Sequence, residues 1–121
     1  EGTVDVLRYC QSCTEILASV VSIPETISAF RRLQEEGLLD RRRFRRLKAD
    51  LAADMEQATI VPVDHPVLRR SIEAIERGPL RALDAIHVGS ALAAACDVFL
   101  SADRRQCDVA RRLGLRVEMV G

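Results

Sequence analysis

The chain has no tryptophan, one tyrosine and three phenylalanines. Base stacking can therefore contribute little to holding a nucleic acid, and any such ligand would be held mainly through its backbone. No run of about eighteen apolar residues occurs, so no membrane-spanning helix is expected, and the first residues lack the basic-then-apolar order of an export signal. The expected location is the cytoplasm. An excess of charge of either sign is also missing, because eighteen basic residues balance eighteen acidic ones. Affinity for a polyanion would then need a local basic surface or bound metal ions. Lysine is nearly absent: Lys48 stands beside seventeen arginines, a bias that suits planar phosphate contacts but is explained more simply by a GC-rich genome.

A length of 121 residues, 48% of them hydrophobic, suffices for one core, and a single domain over residues 1–121 is expected. Four cysteines are present, two of them in Cys10-Gln11-Ser12-Cys13. No second C-x-x-C accompanies that pair, and only His65 and His87 could complete a metal site. The thiols read as small reduced hydrophobes rather than zinc or redox groups.

Periodicity organises the rest. Val4, Leu7 and Cys10 fall at helical spacing, whereas an α/β domain usually opens with a strand. Residues 14–20 (TEILASV) read as a buried strand, and Ser22-Ile23-Pro24-Glu25 reads as a capping box that starts a helix with Ile23, Ile27, Phe30 and Leu33 on its apolar face. Gly37 ends it, and Asp40 caps a second helix. On that helix Phe44, Leu47, Leu51 and Met55 form one stripe, while Arg41, Arg42, Arg45 and Lys48 lie away from it. Residues 59–63 (TIVPV) are a short strand, and Pro62 assigns it to an edge. A helix over residues 66–77 closes at Gly78-Pro79. Residues 81–96 (RALDAIHVGSALAAAC) are apolar almost all round and predict a helix buried between layers. Residues 97–102 (DVFLSA) form the strongest strand signal. A helix over 103–113 and a last strand over 116–120 follow. The alternation implies a three-layer α/β fold, a parallel sheet flanked by helices.

Three carboxylates occupy related places. Glu25 lies just beyond the first strand, Asp103 just beyond the strand over 97–102, and Asp84 in the first turn of the apolar helix. Ligands of parallel α/β sheets bind at the carboxyl ends of the strands, so these acids are expected to share one pocket. Acids clustered without a lysine repel one another, and a hard divalent cation is the usual compensation. Mg2+ or Mn2+ fits, activating water for attack on a phosphodiester. Glu25 and Asp103 each have a plainer explanation as helix caps, Asp103 together with Gln106. Asp84 does not, because aspartate is a poor helix former and costly to bury unpaired. His87 reads as a packed or hydrogen-bonded core histidine rather than a ligand.

Pro79-Leu80-Arg81-Ala82-Leu83-Asp84-Ala85-Ile86-His87 resembles the arginine–aspartate–histidine helix of VapC-type PIN-domain toxins. Phe99-Leu100-Ser101-Ala102-Asp103-Arg104-Arg105 resembles their strand ending in a hydroxyl residue and an aspartate, and residues 19–25 resemble the strand leading to their glutamate. The order and spacing match over essentially the whole chain. The resemblance implies a metal-dependent endoribonuclease with Glu25, Asp84 and Asp103 as catalytic and metal-binding acids, supported by Ser101. It further implies Mg2+ or Mn2+ as cofactor, RNA as substrate, a small antitoxin that blocks the acidic pocket with a basic side chain, and a homodimer. The departure is at the start. Family members open with a central strand ending in aspartate, and nothing before Thr14 matches it. Asp5 sits in a helical pattern and is not that acid. The expectation is an N-terminally incomplete domain whose first central strand, between the strands over 14–20 and 97–102, is absent. The resulting slot would be filled by another segment, or the two halves would collapse together.

Two other readings compete. One is a catalytically inactive PIN scaffold that binds an antitoxin or RNA without cleaving it. The other is a phosphoacceptor receiver domain, which normally needs a lysine near its last strand, whereas Lys48 belongs to an exposed helix face. The run over residues 41–46 reads as a solvated helix face, and no RNA-binding residue is assigned.

Overall fold

A computed structural model describes residues 15–121. The helical pattern on Val4, Leu7 and Cys10, the Cys10–Cys13 pair, Asp5 and the start of the first strand at Thr14 lie outside the described residues. The observed order is β1 (Leu17–Ser19), α1 (Ser22–Glu35), α2 (Arg41–Gln57), β2 (Thr59–Val61), α3 (His65–Arg77), α4 (Ala82–Ala93), β3 (Phe99–Ser101), α5 (Arg104–Arg112) and β4 (Val117–Met119). This is the expected alternation of parallel strands and helices, with each strand trimmed to three residues.

The strands form two parallel pairs. β1 lies on β2 with Leu17 opposite Thr59, and β3 lies on β4 with Phe99 opposite Val117. β1 and β3 do not pair with each other, so among the described residues each has one edge without a ladder partner. The direct β1–β3 pairing that would have removed the expected slot does not occur. β2 pairs only with β1 among the described strands, in keeping with Pro62 directly after its last residue, Val61.

Local chemistry sets the helix ends. Asp40 caps α2 by accepting from the backbone N–H of Arg43 at 2.7 Å, and Asp64 caps α3 by accepting from Val67 at 3.2 Å. Gly37 turns the chain between α1 and α2 at φ 78°, a left-handed conformation that glycine adopts without strain. The end of α4 uses the same region with a side chain present. Ala95 has φ 53°, while its N–H donates to Leu92 and that of Cys96 to Ala91, the paired bonds of a Schellman turn.

The expected capping box at Ser22 is corrected. Val21 is the N-cap, in helical conformation and without a side-chain cap bond. Ser22 Oγ instead donates to the Ser19 carbonyl at 2.7 Å, tying the first turn of α1 back to β1. Glu25 is thereby freed from capping.

The core gathers Ala74, Ala85, Val88, Phe99, Val109 and Ala110 between α3, α4, α5 and β3. α3 and α4 pack closely because Gly89 faces α3. A Cβ there would meet the Ser71 backbone nitrogen at 2.7 Å and the Val67 carbonyl at 2.9 Å. The expectation that α4 is enclosed all round is also corrected among the described residues. Ala85, Val88, Gly89 and Ser90 are buried, but Leu83 is 48% exposed. The first turn of α4 opens onto a cavity instead of a packed layer.

Candidate active site

Three short connections bring the acids together. β1 leads through Ser19–Ser22 into the first turn of α1, which carries Glu25. β3 ends at Ser101, and two residues later Asp103 caps α5. Asp84 stands in the first turn of α4. All three line one solvent-open cavity of about 740 Å³ with Arg81, Ala82, Leu83, Arg104 and Arg105. The expected shared pocket is therefore present.

Each acid is held differently. Glu25 Oε1 lies 2.8 Å from Nε2 of His87, so His87 is a hydrogen-bonded histidine that reaches across from α4 to α1. Asp103 Oδ1 accepts from the backbone N–H groups of Arg105 and Gln106 at 2.8 and 3.1 Å. Its own N–H donates to Ser101 Oγ at 3.0 Å. Asp84 Oδ1 accepts from Gln106 Nε2 at 2.9 Å. That bond relieves the cost that an unpaired, half-buried carboxylate on an apolar helix would carry.

Sequence reasoning missed the arginines. Acids clustered without a lysine point to a compensating cation, yet Arg81, Arg104 and Arg105 line the cavity with the three acids. Among the described residues none of these arginines lies within ion-pair distance of a carboxylate. The cavity thus pairs three formal negative charges with three positive ones while leaving the guanidinium donors available to an anionic ligand. A readable signal existed: Arg81 precedes Asp84 by one helical turn, and Arg104 and Arg105 directly follow Asp103. Lys48 is exposed on α2 and does not line the cavity, so the receiver-type arrangement is not formed there.

The donor chemistry suits a hard divalent cation: oxygens only, open to water. Among the described residues, however, no three His, Cys, Asp or Glu side chains are close enough to hold one ion directly. A shell of three direct protein ligands is not what the geometry offers. The residues fit the other mode of such ions, in which one or two carboxylates bind directly and waters complete the octahedron.

The fold and cavity define an α/β domain with a cavity beyond the ends of parallel strands, where acids and arginines lie side by side. The chain matches the PIN domain family over residues 5–112, and it belongs to that family. PIN domains are generally nucleases and usually use divalent metals. No curated protein matches the chain. No helix among the described residues is long and apolar enough to cross a membrane.

Proposed function

We propose that this chain is a VapC-type toxin of a toxin–antitoxin pair, an endoribonuclease that hydrolyses RNA phosphodiester bonds with Mg2+ or Mn2+. The observation that carries the reading is the single cavity shared by Glu25, Asp84 and Asp103, acids drawn from three separate elements, with Arg81, Arg104 and Arg105 at its wall. In this reading the arginines would bind the non-bridging oxygens of a phosphodiester, for which a guanidinium supplies matched donors. Among the described residues Asp84 and Asp103 each keep a second carboxylate oxygen without a protein partner, available to a metal-bound or attacking water. Glu25 likewise engages only one oxygen, through His87. A bound divalent cation supplies Lewis acidity and a nucleophilic water at neutral pH.

Two further properties belong to the same reading. An antitoxin side chain carrying a basic group would complement the acids and block the cavity. Leu68, Ile72 and Ile75 lie along one face of α3 and are each about half exposed, an apolar stripe that supports association of two copies. Light scattering coupled to gel filtration reads that association. The test of the activity is incubation of the protein with a mixture of structured and single-stranded RNAs. Cleavage that requires Mg2+ or Mn2+ and stops in chelator is the expected result. Intact RNA under all metal conditions, with the protein folded, favours the inactive scaffold instead.

A further inference from the structure

Gln106 has the sequence position of a helix-capping residue but does not act as one. In a reciprocal capping box the residue three positions after the N-cap returns its side chain to the backbone N–H of the cap. The forward half of such a box exists at α5, because Asp103 Oδ1 accepts from the N–H groups of Arg105 and Gln106. The return half does not. The N–H of Asp103 is taken by Ser101 Oγ at 3.0 Å, and the Gln106 side chain crosses to α4. There its Nε2 donates to Asp84 Oδ1 at 2.9 Å, while its Oε1 accepts from Ser101 Oγ, also at 2.9 Å.

Donor and acceptor roles fix the direction of this relay. An ionised Asp84 carboxylate can only accept, so the amide presents Nε2 to it and turns Oε1 toward Ser101. The Ser101 hydroxyl then donates its one hydrogen to Oε1, while its oxygen accepts from the Asp103 N–H. Every polar atom of the Gln106 side chain is therefore engaged in a unique sense. Its backbone N–H meanwhile holds Asp103. One residue thus touches both acids, and it connects α4, α5 and the end of β3.

We propose that Gln106 is the positioning residue of the acidic site, setting the separation and orientation of the Asp84 and Asp103 carboxylates while leaving one oxygen of each available. The consequence for metal and RNA rests on the nuclease reading above. The contact geometry does not. Partners that orient ligating carboxylates from outside the ligand set typically change metal affinity by about 10- to 100-fold when removed.

The experiment measures Mn2+ binding to the full chain from the free-ion electron paramagnetic resonance signal, with thermal melting in parallel. Gln106→Met keeps side-chain length and apolar contact but offers no amide. It is expected to weaken Mn2+ binding about 10- to 100-fold while retaining a cooperative melt. Ser101→Ala, which loosens the amide without removing it, should weaken binding less, and Ser101→Thr should match the wild type. Wild-type affinity in a folded Gln106→Met protein overturns the proposal. If Gln106→Met fails to fold, Gln106→Asn takes its place, since its amide is one methylene too short for both contacts, and the same two outcomes decide. Should the wild-type chain bind no Mn2+ at all, the metal-dependent reading falls, and the side-chain amide resonances of Gln106 decide the positioning separately. In metal-free protein they are expected to move when Asp84→Ala removes the acceptor, and resonances that stay in place overturn the positioning role.

Discussion

Glu25 and His87, separated by 62 positions in the chain, meet with Oε1 2.8 Å from Nε2. The contact ties the first turn of α1 to α4 at the rim of the acidic cavity. His87 is largely covered and Glu25 is 43% exposed, so the pair orients a side chain more than it stabilises the fold. His87→Ala is expected to reduce metal-dependent RNA cleavage about tenfold and to lower unfolding free energy by less than about 1 kcal/mol. Parallel cleavage assays and urea titrations read the two effects. A large stability loss with unchanged cleavage would contradict this assignment.

Much of the architecture was legible because it depends on short-range patterns. Asp40 before α2, the stripe of Phe44, Leu47, Leu51 and Met55, and the β-rich run over residues 97–102 are local signals, and each corresponds to an observed element, the run to the shorter β3. The three acids were legible for the same reason, since each follows a recognisable strand end or helix start. What was not legible depends on contacts between distant segments. Ser22 has the spacing of an N-cap, but its hydroxyl finds the Ser19 carbonyl first. Gln106 has the spacing of a capping-box partner, but a carboxylate 22 positions away is its actual ligand. The exposure of Leu83 was hidden as well, because an apolar run does not reveal that one of its ends borders a cavity.

Ala95 offers a test of the local backbone. It occupies the left-handed region at the end of α4 with φ 53°, where a Cβ costs about 1–2 kcal/mol relative to glycine. Ala95→Gly keeps the turn bonds to Leu92 and Ala91 and is expected to raise stability by about 1 kcal/mol, less whatever the freer unfolded chain takes back. Equilibrium denaturation measures it. A decrease in stability would show that this turn is not under strain.

The cavity arginines should act through charge. Arg104→Ala and Arg105→Ala are each expected to weaken RNA binding, measured by fluorescence anisotropy with cleavage suppressed in chelator. Each lost phosphate contact should flatten the slope of log affinity against log salt by about 0.7 for single-stranded RNA. Unchanged slopes in both variants would place the RNA elsewhere.

Burial pushes the thiol of Cys96 above its usual value of 9.0, with Asp97 adding to the effect. Burial raises Cys107 as well, partly offset by Arg111. From about pH 9 upward the unfolded chain gives up these protons while the folded chain retains them, so the unfolded state binds fewer protons and stability falls as pH rises. Below that range the two thiols contribute no slope. Denaturation midpoints between about pH 8 and pH 10.5 are expected to decline in the wild type and to decline less in Cys96→Ala. Equal slopes in the two proteins would remove Cys96 as a source.

The most direct measurement of the central claim is RNA cleavage by three single variants, Glu25→Gln, Asp84→Asn and Asp103→Asn, each compared with the wild-type chain in Mn2+. Each substitution preserves shape but removes the charge that attracts a divalent cation. If the three acids form one centre, each variant should lose several kcal/mol of transition-state stabilisation, about a hundredfold or more in rate, while keeping the wild-type circular dichroism spectrum. Wild-type cleavage in a folded Asp84→Asn protein, the acid with no capping role to explain it, would contradict the account.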